Sequence, residues 1–86
     1  MKTYQPAETN PLNGGVQNVF KFDNGYSASV VRHSFSYGGS NGLWELAVLR
    51  DGWIVYDTPI TDDVLGHLTE SDVQAILAKI EALPKA

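Results

Sequence analysis

The sequence predicts an α+β fold: a three- to four-stranded antiparallel meander sheet packed by one C-terminal helix, with a flexible N-terminal arm ahead of it. Three observations carry this reading. Between Val16 and Tyr56 apolar residues alternate with period two in segments on either side of Ser34–Gly42, and the turn signals Asp23-Asn24-Gly25 and Asp51-Gly52 divide those segments into hairpins. From Val73 the period changes to the 3, 4, 7 spacing of an amphipathic helix. A chain of 86 residues has material for one core, so residues 16–86 are read as a single domain and residues 1–15 as the arm.

The arm is assigned from Pro6, Pro11, Gly14 and Gly15 with several Asn and Thr, among which Tyr4 and Leu12 are the only sizeable apolar groups. The first strand begins at Val16 and places Val16, Asn18, Phe20 and Phe22 on one face, with Gln17, Val19 and Lys21 on the other. Asp23-Asn24-Gly25 supplies residues that tolerate positive φ in a tight turn. The second strand then alternates Tyr26, Ala28, Val30 and Arg32 against Ser27, Ser29, Val31 and His33.

A Gly- and Ser-rich stretch from Ser34 to Gly42 interrupts the sheet and carries Phe35 and Tyr37. The third strand, Leu43 to Leu49, puts Trp44, Leu46 and Val48 on one face. After Asp51-Gly52 a short fourth strand, Trp53 to Tyr56, is stopped at Thr58-Pro59, since proline cannot donate a ladder hydrogen bond. Asp62-Asp63-Val64-Leu65 is expected to form a short helical turn capped by Thr61, with His67 in the turn that follows.

The helix starts at Thr69, with Asp72 three residues on as an acidic relative of the capping box, and Glu70 and Asp72 lie at the positive end of its dipole. Val73, Ile76, Leu77, Ile80 and Leu83 form one stripe, and Pro84 ends the helix. That stripe must cover the sheet, because an uncovered hairpin pair is barely stable in water.

Charge is unevenly spread. Residues 1–56 hold four acids and four bases, whereas residues 57–86 hold six acids and two bases, so the whole net charge of −4 lies in the second group. Such a surface repels phosphate backbones and favours basic protein surfaces, which argues against direct nucleic-acid binding. No run reaches the length a bilayer span needs, the N-terminus lacks the apolar block of a secretory signal, and cytoplasmic residence is expected.

Reaction machinery is missing from the pattern. His33 and His67 are the strong nitrogen ligands, but no H-x-x-x-H or H-E-x-x-H spacing exists and Cys is absent, so neither a metal nor a cofactor is expected. There is no G-x-S-x-G elbow for a nucleophile. The Gly38-Gly39-Ser40-Asn41-Gly42 run lacks the G-K-[ST] ending of a phosphate loop and reads as a hairpin connection. The Asp62-Asp63 pair lacks the spacing of a calcium loop. Trp44 and Trp53, on strands, are assigned to the core. Phe35 and Tyr37 have little core to point into from a Gly-Ser loop and are assigned to partner contact, together with Asp57, Asp62, Asp63, Glu70 and Asp72.

The segments F-K-F-D-N-G-Y-S-A-S-V-V (20–31), S-Y-G-G-S-N-G-L-W-E-L-A-V-L (36–49) and Y-D-T-P-I-T-D-D-V-L-G-H-L-T (56–69) resemble, in that order, a group of small and largely uncharacterised proteins encoded by tailed bacteriophages and prophages. The resemblance implies a phage or prophage origin and action in the host bacterial cytoplasm, and it carries over no catalytic residue. Among small acidic phage proteins, binding and disabling a host protein is a recurring role, host-defence and CRISPR components included. The expectation is therefore a non-enzymatic accessory protein that inhibits a host protein through an acidic and aromatic surface, the alternative being a virion assembly or self-associating module.

Overall fold

The computed structural model describes residues 3–12, 14–33, 41–55, 58–60 and 64–85. Six strands and one helix follow in chain order: β1 (Glu8–Leu12), β2 (Gly15–Lys21), β3 (Tyr26–Arg32), β4 (Trp44–Arg50), β5 (Trp53–Ile54), β6 (Leu65–Leu68) and α1 (Glu70–Glu81). They form one antiparallel sheet of order β1-β2-β3-β4-β5, with β6 also paired to β4. The meander from β2 to β5 and the C-terminal helix are as the sequence predicts. The strand count is larger, because β1 and β6 come from segments assigned to the arm and to the turn before the helix.

Strand β1 has no apolar alternation of its own; pairing creates it. Glu8 to Leu12 lie opposite Val19 to Gly15 in β2, and the Ala7 N–H donates to the Val19 carbonyl at 2.7 Å. Thr9 to Asn18 and Lys21 to Glu8 add polar cross-strand contacts. Gly15 is required where β2 begins, since a Cβ there would collide with the Arg32 carbonyl oxygen of β3. Pro11 is tolerated because β1 is an edge strand.

Register decides what lies under the helix. Phe20 pairs with Ala28, Ala28 with Val48, and Val30 with Leu46, so these residues share one sheet face. Val73, Leu77 and Ile80 of α1 close over that face, and with Trp44 they complete the main core cluster; Ile76 and Leu83 pack at its margin. The sequence stripe is thus the buried stripe. Each large side chain removed from water contributes about 1.5–3 kcal/mol, which a twelve-residue helix needs because isolated helices of that length are marginal.

Both helix ends are tied. At the start, Asp72 N–H donates to Thr69 Oγ1 at 3.1 Å and Thr69 N–H donates to Asp72 Oδ2 at 3.0 Å, which completes the expected capping box. At the other end, Asn24 from the β2–β3 turn donates through Nδ2 to the carbonyls of Ile80 at 2.8 Å and Leu83 at 3.1 Å. Its Oδ1 accepts from Tyr26 N–H at 3.0 Å. One side chain therefore shapes the turn and caps the end of the helix, adding to the Leu83 N–H bond that the Ile80 carbonyl already accepts.

Thr3 and Tyr4 lie against α1. Tyr4 N–H donates to Gln74 Oε1 at 2.8 Å, Gln74 Nε2 donates back to the Tyr4 carbonyl at 3.2 Å, and the phenol donates to Glu81 Oε1 at 2.9 Å. The Tyr4 ring meets Phe22 edge-on at 5.9 Å. The arm assignment is thus corrected where the chain is described: part of it is sheet and part is strapped to the helix. Leu65, expected in a helical turn, is in β6; Thr61, Asp62 and Asp63 lie outside the described residues. His67 sits where β6 carries one residue more than β4 between Trp44 and Leu46, and it has φ +56°.

Two substitutions test this account. Asn24→Asp keeps the acceptor for Tyr26 but removes both donors and sets a negative charge at the negative end of the helix dipole. It should lower unfolding free energy in urea by about 1–2 kcal/mol, at least as much as Asn24→Ala does. His67→Val should cost about 1–2 kcal/mol, because a β-branched residue is poorly accommodated at positive φ, whereas His67→Gly should be neutral or stabilising.

Candidate functional site

The outer edge of β4 is covered by two pieces of chain. At the end nearest the turn, β5 places Trp53 opposite Arg50 and Ile54 opposite Leu49, and Val55 N–H donates to the Val48 carbonyl at 2.9 Å. At the other end, β6 places Leu65 opposite Leu46 and Leu68 opposite Trp44. The two pieces run in the same direction, so β5 and β6 are halves of one interrupted edge strand. In the stretch between them, Val55 and Ile60 pack against the core.

Asp51 and Gly52 form the β4–β5 turn with φ of +54° and +84°, the paired positive values of the two-residue turn that matches strand twist. That tight turn brings Trp53 back at the tip of the hairpin. There the indole is 78% exposed and Ile54 is 43% exposed, the two exposed large apolar side chains among the described residues. The closing pair of such a hairpin is Arg50–Trp53, and Val55 is bonded back to Val48, so the alternation of an antiparallel ladder turns the Ile54 N–H and C=O away from β4. Among the described strands none lies beyond β5. Among the described residues the tip therefore combines an open backbone edge with an uncovered indole.

The two tryptophans part company. Trp44 is 5% exposed, lies under the helix side of the sheet and carries the Arg32 guanidinium over its ring at 4.5 Å, a cation–π contact. Its core assignment holds. Trp53 does not belong to the core, and the reason is positional: α1 packs chiefly against β3, β4 and β6, and β5 is two residues long at the sheet margin. The sequence signal was present in Asp51-Gly52-Trp53-Ile54, where a tryptophan directly follows a two-residue turn and only a few residues separate it from Pro59.

Of the seven assigned contact residues, Glu70 and Asp72 are described, and Phe35, Tyr37, Asp57, Asp62 and Asp63 lie outside the described residues. Glu70 and Asp72 are both exposed in the first turn of α1. Asp72 has one oxygen engaged in the cap; Glu70 has no ion pair or hydrogen bond with described residues. These carboxylates stand at the start of the helix, while Trp53 is at the tip of the β4–β5 hairpin, so the described part of the assigned surface and the exposed indole are separate features.

His33 is half-buried and His67 exposed, and among the described residues no cluster of three or more His, Cys, Asp or Glu side chains could hold a metal ion. No buried side-chain polar atom among them is without a partner. No helix there is long and apolar enough to cross a membrane. In comparisons with known proteins, no family model, no curated protein and no solved structure matches the chain.

Proposed function

We propose that this protein is a non-enzymatic accessory protein of phage or prophage origin that acts in the host bacterial cytoplasm by occupying a surface of a host protein, CRISPR and other defence components being included among the targets. The observation that carries the reading is the exposure of Trp53 beside Ile54 on an open strand edge. Tryptophan is enriched among the residues that dominate interface energies, and a protein of this size keeps so large an apolar group in water at a cost. The anchor is Trp53, with Ile54 beside it.

The acidic residues supply the second part of the reading. Glu70 and Asp72, with Asp57, Asp62 and Asp63, concentrate the negative charge of the chain, and Phe35 and Tyr37 add aromatic contact. Where the target surface normally grips nucleic acid, these carboxylates stand in for phosphates and steer association. Self-association or virion assembly is the second reading, favoured by the outward Ile54 backbone groups, since an open edge can pair with another chain.

Affinity capture from bacterial lysate tests the proposal. Trp53→Ala should lose a specifically retained host protein by roughly 30-fold in affinity, the size of a hot-spot truncation of about 2 kcal/mol, and raised salt should slow the association of the unmodified protein. Capture that Trp53→Ala leaves intact would remove the indole from the interface. Sedimentation at rising concentration decides the second reading: a species that stays monomeric excludes it, and growth abolished by Trp53→Ala establishes it.

A further inference from the structure

Asn24 holds the end of α1 through the same atoms that make it chemically perishable. Its Nδ2 donates to the carbonyls of Ile80 at 2.8 Å, Leu83 at 3.1 Å and Glu81 at 3.3 Å, and its Oδ1 accepts from the Tyr26 N–H at 3.0 Å. The next residue is Gly25, which has no side chain to shield its own N–H. In an Asn-Gly pair that backbone nitrogen can reach the side-chain amide carbon, because glycine leaves the backbone free to bring the two together. A second such pair, Asn41-Gly42, is exposed at both residues. The two pairs are alike in sequence, but Asn24 is half-buried and joined to the helix end.

The reaction open to such a pair is internal. The Gly25 nitrogen bonds to Asn24 Cγ, the Cγ–Nδ2 bond breaks, and the proton lost by the Gly25 nitrogen passes through solvent to Nδ2, which leaves as ammonia. A cyclic imide remains. Water then opens it at either carbonyl, giving an aspartyl or an isoaspartyl residue at position 24, and nothing is oxidised or reduced. Both nitrogens are engaged in the folded protein. The Gly25 N–H donates to the Phe22 carbonyl at 3.3 Å, while Nδ2 gives its hydrogens to the helix carbonyls and is not protonated for departure. Attack requires these bonds and the one from Tyr26 to open together, so it waits for the helix end to come off.

We propose that Asn24-Gly25 is a deamidation site gated by the docking of α1: the seated helix end preserves the amide, and release of that end lets the imide form. The product cannot restore the cap. A carboxylate at position 24 has no hydrogen to give to the Ile80, Glu81 or Leu83 carbonyls, and it stands at the negative end of the helix dipole. The isoaspartyl form also adds an atom to the backbone path through a turn in which Gly25 has φ +92°. A reversible opening thereby becomes permanent, and the altered molecule opens more readily than before. This holds whatever the protein binds.

Peptide mapping by mass spectrometry tests this on the full chain, incubated at mildly alkaline pH over a urea series, by reading the amide-to-acid mass gain at Asn24 and Asn41 separately. Asn24 should react roughly tenfold or more slowly in the folded protein than in the urea-unfolded chain, the protection expected of several hydrogen bonds that must open together. Asn41 should change much less between the two states. Urea added below the unfolding transition should already speed Asn24, since it favours partial opening. Protein modified at position 24, separated by anion exchange, should unfold at lower urea than intact protein, and Asn24→Asp should match its aspartyl fraction. An Asn24 that reacts as fast folded as unfolded, a rate indifferent to urea below the transition, or a modified fraction with the intact midpoint would overturn the proposal.

Discussion

The structure depends on one apolar contact: the stripe Val73, Leu77 and Ile80 of α1 seated on the face that Phe20, Ala28, Val30, Leu46 and Val48 present. Neither side of that contact is stable by itself. The helix is too short to persist alone, and the sheet without its cover would expose its whole apolar face. With no cysteine for a disulfide, packing must supply the cohesion. Two polar ties then fix the position of the helix along the sheet: Asn24 grips its last carbonyls, and Tyr4 and Gln74 bind it near the middle. The ties are directional where packing is not, so they select among helix positions that apolar burial would tolerate.

That arrangement separates what is held from what is presented. The covered face contains the buried core, while the hairpin tip at Trp53 lies past the margin of the helix cover. On the proposed reading as a partner-binding module this division helps, since a contact group directly after a tight turn loses little freedom when it engages. The interrupted edge strand fits the same pattern: β5 and β6 keep register with β4 at two separated points, so each half is positioned independently.

Strands β2, β3, β4 and α1 are legible in the sequence because each has its own period and its own turn or cap residues. Strand β1 is not, since Glu8-Thr9-Asn10-Pro11-Leu12 has no alternation and contains a proline; its extended form comes from the edge of β2. Strand β6 is hidden for a related reason, as Leu65-Gly66-His67-Leu68 reads as a turn until β4 provides a ladder and His67 takes up the bulge. Of the site, the acidic helix start is legible and lies where the capping pattern put it. The exposure of Trp53 is only half legible: Asp51-Gly52 places it directly after a tight turn, but strand membership says nothing about how far the helix cover extends. The Tyr4–Gln74 pairing joins residues seventy positions apart and has no local signal at all.

The helix follows every strand of the sheet in the sequence, and this order bears on how the protein is made. During synthesis the hairpins can pair as they emerge, yet their common greasy side waits for a lid encoded after every strand. Until residues 70–83 have left the ribosome, the emerging strands expose that side to water, the kind of surface on which aggregation begins.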